Sequence, residues 1–224
     1  SDNTISFTCA TAVGNQIYIG TKDKGLFSSN LSSTAAFENS TPFGPLRNNI
    51  FSLDVTPNVL WAVYGDYDTY YNPYALDDYG ISRFNTSGWL NIPYSEVYDA
   101  KSITKIIVNP SNEKQVYASS FFSGLLRIEN EVPNFLYNEK NSGLETLTYE
   151  GPTYIDVRIN GTAFDKSGNL WVTNSRIKNG LKVLRTNGQW SSYATSSVLS
   201  NAENTSYGNI VIDQNSVKWI ATSN

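Results

Sequence analysis

The chain has no histidine, a single cysteine and few charged residues, and each shortage removes a class of function. Without an imidazole, Ser-His-Asp and Cys-His nucleophile systems cannot be assembled, and histidine metal sites are excluded. The lone thiol, Cys9, has no partner for an intrachain disulfide. With nothing to activate it, Cys9 is expected to be a small buried hydrophobe rather than a reactive group. Charged residues make up 16% of the chain against roughly 25% in an average soluble domain, and the net charge is −4. No cluster of Lys and Arg forms a phosphate-binding footprint, so nucleic acid and bare anionic lipid are not expected partners. No apolar run reaches the roughly 18 residues of a membrane helix, so direct membrane insertion is not expected. A basic, then apolar leader does not open the chain, so any signal peptide is expected to be absent or already removed. Asn and Ser are plentiful while Lys and Glu are sparse, which fits a secreted or cell-surface protein.

What is abundant is aromatic: 13% of the residues, with 15 Tyr and 5 Trp. The stretch 165–174 organises the rest. Asp165 can accept backbone N–H groups two residues on, Gly168 tolerates positive φ, and Leu170-Trp171-Val172-Thr173 is β-prone. The unit recurs with drift. Tyr18, Trp61, Tyr117, Trp171 and Trp219 hold equivalent places and stand 43, 56, 54 and 48 positions apart. A turn and an aromatic-bearing strand at that period predict an all-β fold, a β-propeller of four-stranded antiparallel blades.

Blades are expected at about 4–46, 47–100, 101–151 and 152–206, with a partial fifth at 207–224. Gly-Leu or Gly-Ile pairs at Gly25, Gly80, Gly124 and Gly180 mark the third strand of each complete unit. Asn187-Gly188 reads as a type I′ hairpin. Because a propeller normally closes to leave no open edge, the chain is expected to be part of a longer polypeptide.

The repeated Asp54, Asn109, Asp165 and Asp213 resemble a calcium ring, but capping of the turn after each first strand explains them without metal. A sialidase-type Asp-x-Gly turn fails because Asp165 and Gly168 are three apart. A carboxylate-pair glycosidase needs only Asp and Glu and is the one hydrolytic mechanism left open. The expectation is a protein that is not an enzyme, with no catalytic residues, metal or cofactor. The insertion at 65–78 is the most individual stretch. Asp66, Tyr67, Asp68, Tyr70, Tyr71, Tyr74, Asp77 and Asp78 set flat apolar faces beside hydroxyl and carboxylate groups. Such surfaces bind sugars or protein partners. The competing reading is a loop whose tyrosines pack on the neighbouring blade.

Several motifs resemble one propeller family. They include Asn109-Pro110-Ser111-Asn112, Val116-Tyr117-Ala118-Ser119-Ser120 with Gly124-Leu125-Leu126, and Tyr137-Asn138-Glu139-Lys140-Asn141-Ser142-Gly143-Leu144. The stretch 162–174, Leu181-Lys182-Val183-Leu184, Gly188-Gln189-Trp190 and Ile210-Val211-Ile212-Asp213 before Lys218-Trp219-Ile220 continue it. The chain resembles the PorZ-type β-propeller proteins of the type IX secretion system of Bacteroidetes. More loosely, it is similar to the propeller repeats of two-component sensors. The likeness covers about half of the chain well and the first hundred residues weakly. It implies a scaffold or binding module of a cell-surface attachment complex, on the outer membrane, with sortase-type protein partners and anionic lipopolysaccharide. The sensor likeness implies instead a periplasmic propeller that recognises oligosaccharide.

Overall fold

A computed structural model describes residues 5–22, 24–32, 37–147, 151 and 153–223. The expected unit limits at Thr4, Pro152 and Asn224 fall outside these residues. The chain forms two compact units, 1–44 and 45–224. The first is one antiparallel sheet, β1 (Phe7–Val13), β2 (Gln16–Thr21), β3 (Leu26–Asn30) and β4 (Glu38–Asn39), paired in that order. Cys9 lies on β1, which is exposed along its length, so the expected burial of this thiol is not found.

The second unit repeats the same meander. One sheet is β5 (Ser52–Val55), β6 (Leu60–Val63), β7 (Ile81–Asn85) and β8 (Gly88–Ile92). The next is β9 (Ile103–Asn109), β10 (Asn112–Ser120), β11 (Gly124–Glu129) and β12 (Val132–Tyr137). A third is β13 (Ile159–Phe164), β14 (Leu170–Asn174), β15 (Leu181–Leu184) and β16 (Trp190–Tyr193), and a last pair is β17 (Tyr207–Ile212) and β18 (Lys218–Thr222). The first strands β5, β9, β13 and β17 lie side by side in chain order. That is the arrangement of propeller blades around an axis. Among the described residues the chain is all-β, with four four-stranded sheets and one two-stranded pair, and those of the second unit are arranged as blades of an incomplete propeller.

Local chemistry sets the repeat. In blade 4 the Asp165 carboxylate accepts the N–H groups of Ser167 and Asn169, both at 2.9 Å, and the indole N–H of Trp171 at 2.8 Å. Blade 5 repeats this, Asp213 accepting from Asn215, Val217 and Trp219. Each aromatic therefore clips its strand to the turn before it. Partial burial pushes the Asp165 carboxyl up, but the bonds from Trp171, Asn169 and Ser167 outweigh it and hold the group below the usual aspartate range. Register corrects one assignment. Trp61 pairs with Asp54, whereas Trp171 pairs with Ala163, two residues before its turn aspartate. The turn residue of blade 2 is thus Thr56, whose hydroxyl accepts from Asn58 and Val59. Asp54 instead accepts the backbone N–H of Val108 at 2.7 Å and ties blade 2 to blade 3. Asn187-Gly188 is likewise not type I′. Only Gly188 has positive φ (82°), and its N–H bonds to Arg185 O at 2.8 Å, a type I turn closed by a left-handed glycine.

The core lies between blades, because the two-residue side-chain period gives each strand two faces. On β10, Val116 and Ala118 join a cluster with Trp61, Val63, Ile103 and Ile106 on the blade 2 side. Tyr117, on the other face, joins Leu125, Val157, Ile159, Leu170 and Val172 on the blade 4 side. Burying each large side chain contributes roughly 2–3 kcal/mol. The repeated aromatics grade accordingly: Trp61 is 2% exposed and Tyr117 5%, while Trp219, with no further blade over its face among the described residues, is 64% exposed. The glycine before the third strand has a steric cause. A Cβ on Gly80 or Gly124 would stand 2.0 or 2.1 Å from the carbonyl oxygen of Ile92 or Tyr137.

Two substitutions test the turn chemistry. Ser216 occupies the place of Gly168 with φ 65°. Ser216→Gly relieves left-handed strain and should stabilise by about 0.5–1 kcal/mol, seen as a rise of about 2 °C in Tm. Asp165→Asn should cost about 1 kcal/mol at neutral pH, since an amide cannot accept all the bonds the carboxylate does. Because the folded-state pKa is depressed, this stabilisation is present above the ordinary aspartate range and lost as pH falls through the lowered value. The Tm gap between wild type and variant should therefore close on acidification, which thermal melts from pH 7 to pH 2 will read.

Candidate functional site

The insertion 65–78 leaves β6 and crosses the face of the second unit at which β9, β13 and β17 begin. Its start is pinned by Gly65 N–H to Ile103 O at 3.0 Å, its end by Ser102 N–H to Asp77 O at 2.7 Å. Between them Asp68 builds a tight turn, its carboxylate accepting from Tyr70 (2.8 Å) and Asn72 (2.9 Å), with Tyr71 at φ 58°. This is the Asx chemistry that the Asp-rich sequence offers.

The turn drives two tyrosines inward. The rings of Tyr67 and Tyr71 stack with centroids 5.1 Å apart, and Tyr67 lies 5.1 Å from Phe51 and 5.2 Å from Phe121. The Tyr67 hydroxyl accepts from Asn160 Nδ2 at 2.9 Å, and the same amide donates to Tyr207 O at 3.1 Å. Burial pushes the Tyr67 phenol up, with the Asn160 bond acting against it. Tyr71 seats its hydroxyl over Gly208, where an added Cβ would stand 2.5 Å from that oxygen. Asn160, which opens an Asn-Gly-Thr glycosylation sequon, is buried in this network.

Beside these packed rings is a cleft of about 260 Å³, lined by Tyr70, Tyr71, Asn72, Tyr74, Leu147, Tyr154, Arg158 and Arg176. Arg158 is fixed by Asp156, to which Nε donates at 3.0 Å and Nη2 at 2.8 Å. Its guanidinium stands 5.7 Å from the Phe121 ring centre. Burial pushes the Asp156 carboxyl up, while Arg158, Tyr154 and the field of Arg176 act against it. Tyr154 donates to Asp156 at 3.3 Å and its hydroxyl also bonds that of Tyr74, so one polar chain runs from insertion to arginine. Arg176 sits in the left-handed region at φ 60°, with its N–H bonded to Thr205 O. Asp156 faces both guanidiniums, and the forked donors of the two arginines suit acceptor-rich ligands.

The sequence-predicted residues divide. Tyr70, Tyr71 and Tyr74 line the cleft. Tyr67 packs beneath, as the competing reading expected. The four aspartates do not line the cleft: Asp68 shapes the turn, Asp77 Oδ2 accepts from Asp66 N at 3.2 Å, and Asp66 and Asp78 are exposed. The acidic acceptors expected beside the tyrosines are replaced by Arg158 and Arg176, which sequence reasoning missed along with Tyr154. Among the described residues, no three carboxylate, thiol or imidazole groups form a metal site.

The fold and this face define a propeller with an insertion-bearing mouth. No protein-family model matches the sequence, and no curated protein matches it. Among solved structures it is similar to PorZ, an essential bacterial surface component of the type-IX secretion system of Porphyromonas gingivalis. That match has TM-score 0.69 and 20% identity, and covers 96% of this chain and 29% of the other. It is also similar to the extracellular domain of a protein described as a hybrid two component system of B. thetaiotaomicron, with TM-score 0.54 and 16% identity, covering 96% of this chain and 26% of that one. At these identities the likeness is one of fold, and the chain spans less than a third of either protein.

The packing assigns different consequences to adjacent tyrosines. Tyr70 is 84% exposed, and Tyr70→Ala should change stability by no more than about 0.5 kcal/mol. Tyr71→Ala removes a stacked ring and should cost about 2–3 kcal/mol, read as a drop in denaturant midpoint.

Proposed function

We propose that the chain is a non-enzymatic recognition module whose insertion-bearing face engages an acidic glycan. The carrying observation is the cleft in which Tyr70, Tyr71, Tyr74 and Tyr154 stand over Arg158 and Arg176. Tyrosine faces suit sugar rings, and forked guanidiniums suit carboxylate or phosphate groups. The likeness to PorZ supports placing this module in a type IX attachment complex at the cell surface, with sortase-type protein partners and anionic lipopolysaccharide as the glycan source. The likeness to the sensor ectodomain supports a second setting, periplasmic oligosaccharide sensing, in which the same cleft would serve. Among the described residues no helix is long and apolar enough to cross a membrane.

An array of acidic and neutral bacterial glycans, lipopolysaccharides included, tests the reading. Acidic members should be retained, retention should weaken as salt rises, and Tyr70→Ala and Arg176→Gln should each reduce it about tenfold. Equal retention of neutral and acidic glycans, or retention untouched by both substitutions, would sink it.

A further inference from the structure

The aromatic of blade 3 departs from its counterparts. Trp171 and Trp219 donate their indole N–H to the turn aspartates at 2.8 and 3.1 Å. In blade 3 the turn residue is Asn109, whose side chain is engaged with Ser111 N (2.9 Å) and Gln115 Oε1 (2.8 Å). Tyr117 is 5% exposed, and its hydroxyl has no hydrogen-bond partner among the described residues. The ring is packed while the hydroxyl itself keeps access to solvent at the groove, so it stands there as an open donor.

Tyr117 lines a groove of about 270 Å³ between blades 3 and 4, at the opposite ends of the strands from the insertion. Phe164, Leu170 and Leu184 give it an apolar floor, and Arg127 and Arg185 stand on its walls. Arg127 donates Nε to Asn134 and Nη1 to Tyr137, and Arg185 donates Nε to Ser191 and Nη2 to Tyr193. One terminal nitrogen of each guanidinium, Nη2 of Arg127 and Nη1 of Arg185, donates to no described residue. Glu129 stands 3.5 Å from Arg127 and offsets one of the two charges. The groove is left with about one net positive charge, three donors and an apolar base.

We infer that this groove binds a sugar-sized monoanion, a carboxylate on a body with one apolar face, which accepts from the Tyr117 hydroxyl and the two arginines. The volume suits one hexose-sized ligand, and a single compensating charge favours a carboxylate over a dianionic phosphate. Tyr117 and Arg127 lie on β10 and β11, and Arg185 directly follows β15, so the site is formed before the ligand arrives.

Calorimetric titration of the full chain with D-glucuronate, D-glucose and glucose 6-phosphate tests this. Glucuronate should bind saturably and D-glucose at least about tenfold more weakly, the usual scale for losing a charge-assisted pair. Tyr117→Phe should weaken glucuronate about five- to tenfold while its Tm stays level, a combination that a purely structural tyrosine would not show. Arg185→Gln should remove the preference for glucuronate over glucose. Absence of saturable glucuronate binding, or unchanged binding by Tyr117→Phe, overturns the proposal. Tighter binding of glucose 6-phosphate overturns the monoanion assignment. Binding that falls with Tyr70→Ala and not with Tyr117→Phe places the ligand in the insertion cleft and also overturns it.

Discussion

Every second strand in this propeller must satisfy two neighbours at once, and the rest of the structure follows from that requirement. A pleated strand sends alternate side chains to opposite faces, so β10 gives Val116 and Ala118 to one blade and Tyr117 to the other. Among the described residues each of the two core clusters draws on two adjacent blades of the second unit. The apolar area that offsets chain entropy is created only where one blade meets the next, as in other stacked repeats. The graded exposure of Trp61, Tyr117 and Trp219 expresses the same rule, since an aromatic is buried to the extent that the next blade covers it.

That arrangement leaves the strand ends as platforms. At one end the insertion is held by backbone bonds at its base and by Tyr67 on Asn160, so the stacked rings of Tyr67 and Tyr71 are anchored to a first strand. The chain of bonds from Tyr74 through Tyr154 and Asp156 to Arg158 joins blade 2 to the entry of blade 4. A buried guanidinium is tolerated there because a fully buried carboxylate answers it. At the other end the interblade grooves carry the turn residues, where small departures from the repeat change which donors are satisfied. Thr56 in blade 2 and Asn109 in blade 3 replace the aspartate of blades 4 and 5. Correspondingly, among the described residues Trp61 Nε1 is buried without an acceptor, and the Tyr117 hydroxyl bonds to no side chain or backbone group but keeps access to solvent.

Much of the fold was legible because its signals are local. Asp165, Gly168 and Trp171 sit within seven residues, and the turn, the strand and the clip between them involve no distant partner. The misreading of Asp54 has a local cause too: the turn of blade 2 is shorter, and an aspartate two residues early looks like a cap until register shows Trp61 opposite it. The site was legible by half. A tyrosine-rich insertion announces a surface, and Asp68 announces its turn, but which tyrosines pack and which stay free depends on Phe121, Asn160 and Gly208.

By itself, then, the sequence determined the repeat, the strands and the turn chemistry, because a two-residue period, left-handed glycines and Asx acceptors act between near neighbours. Tertiary structure alone decided the character of the clefts. Arg158 and Arg176 lie about a hundred residues beyond the insertion they face, and Arg185 lies on a different blade from Tyr117. Their convergence is a product of blade packing, and no local pattern encodes the charge that one blade presents to another.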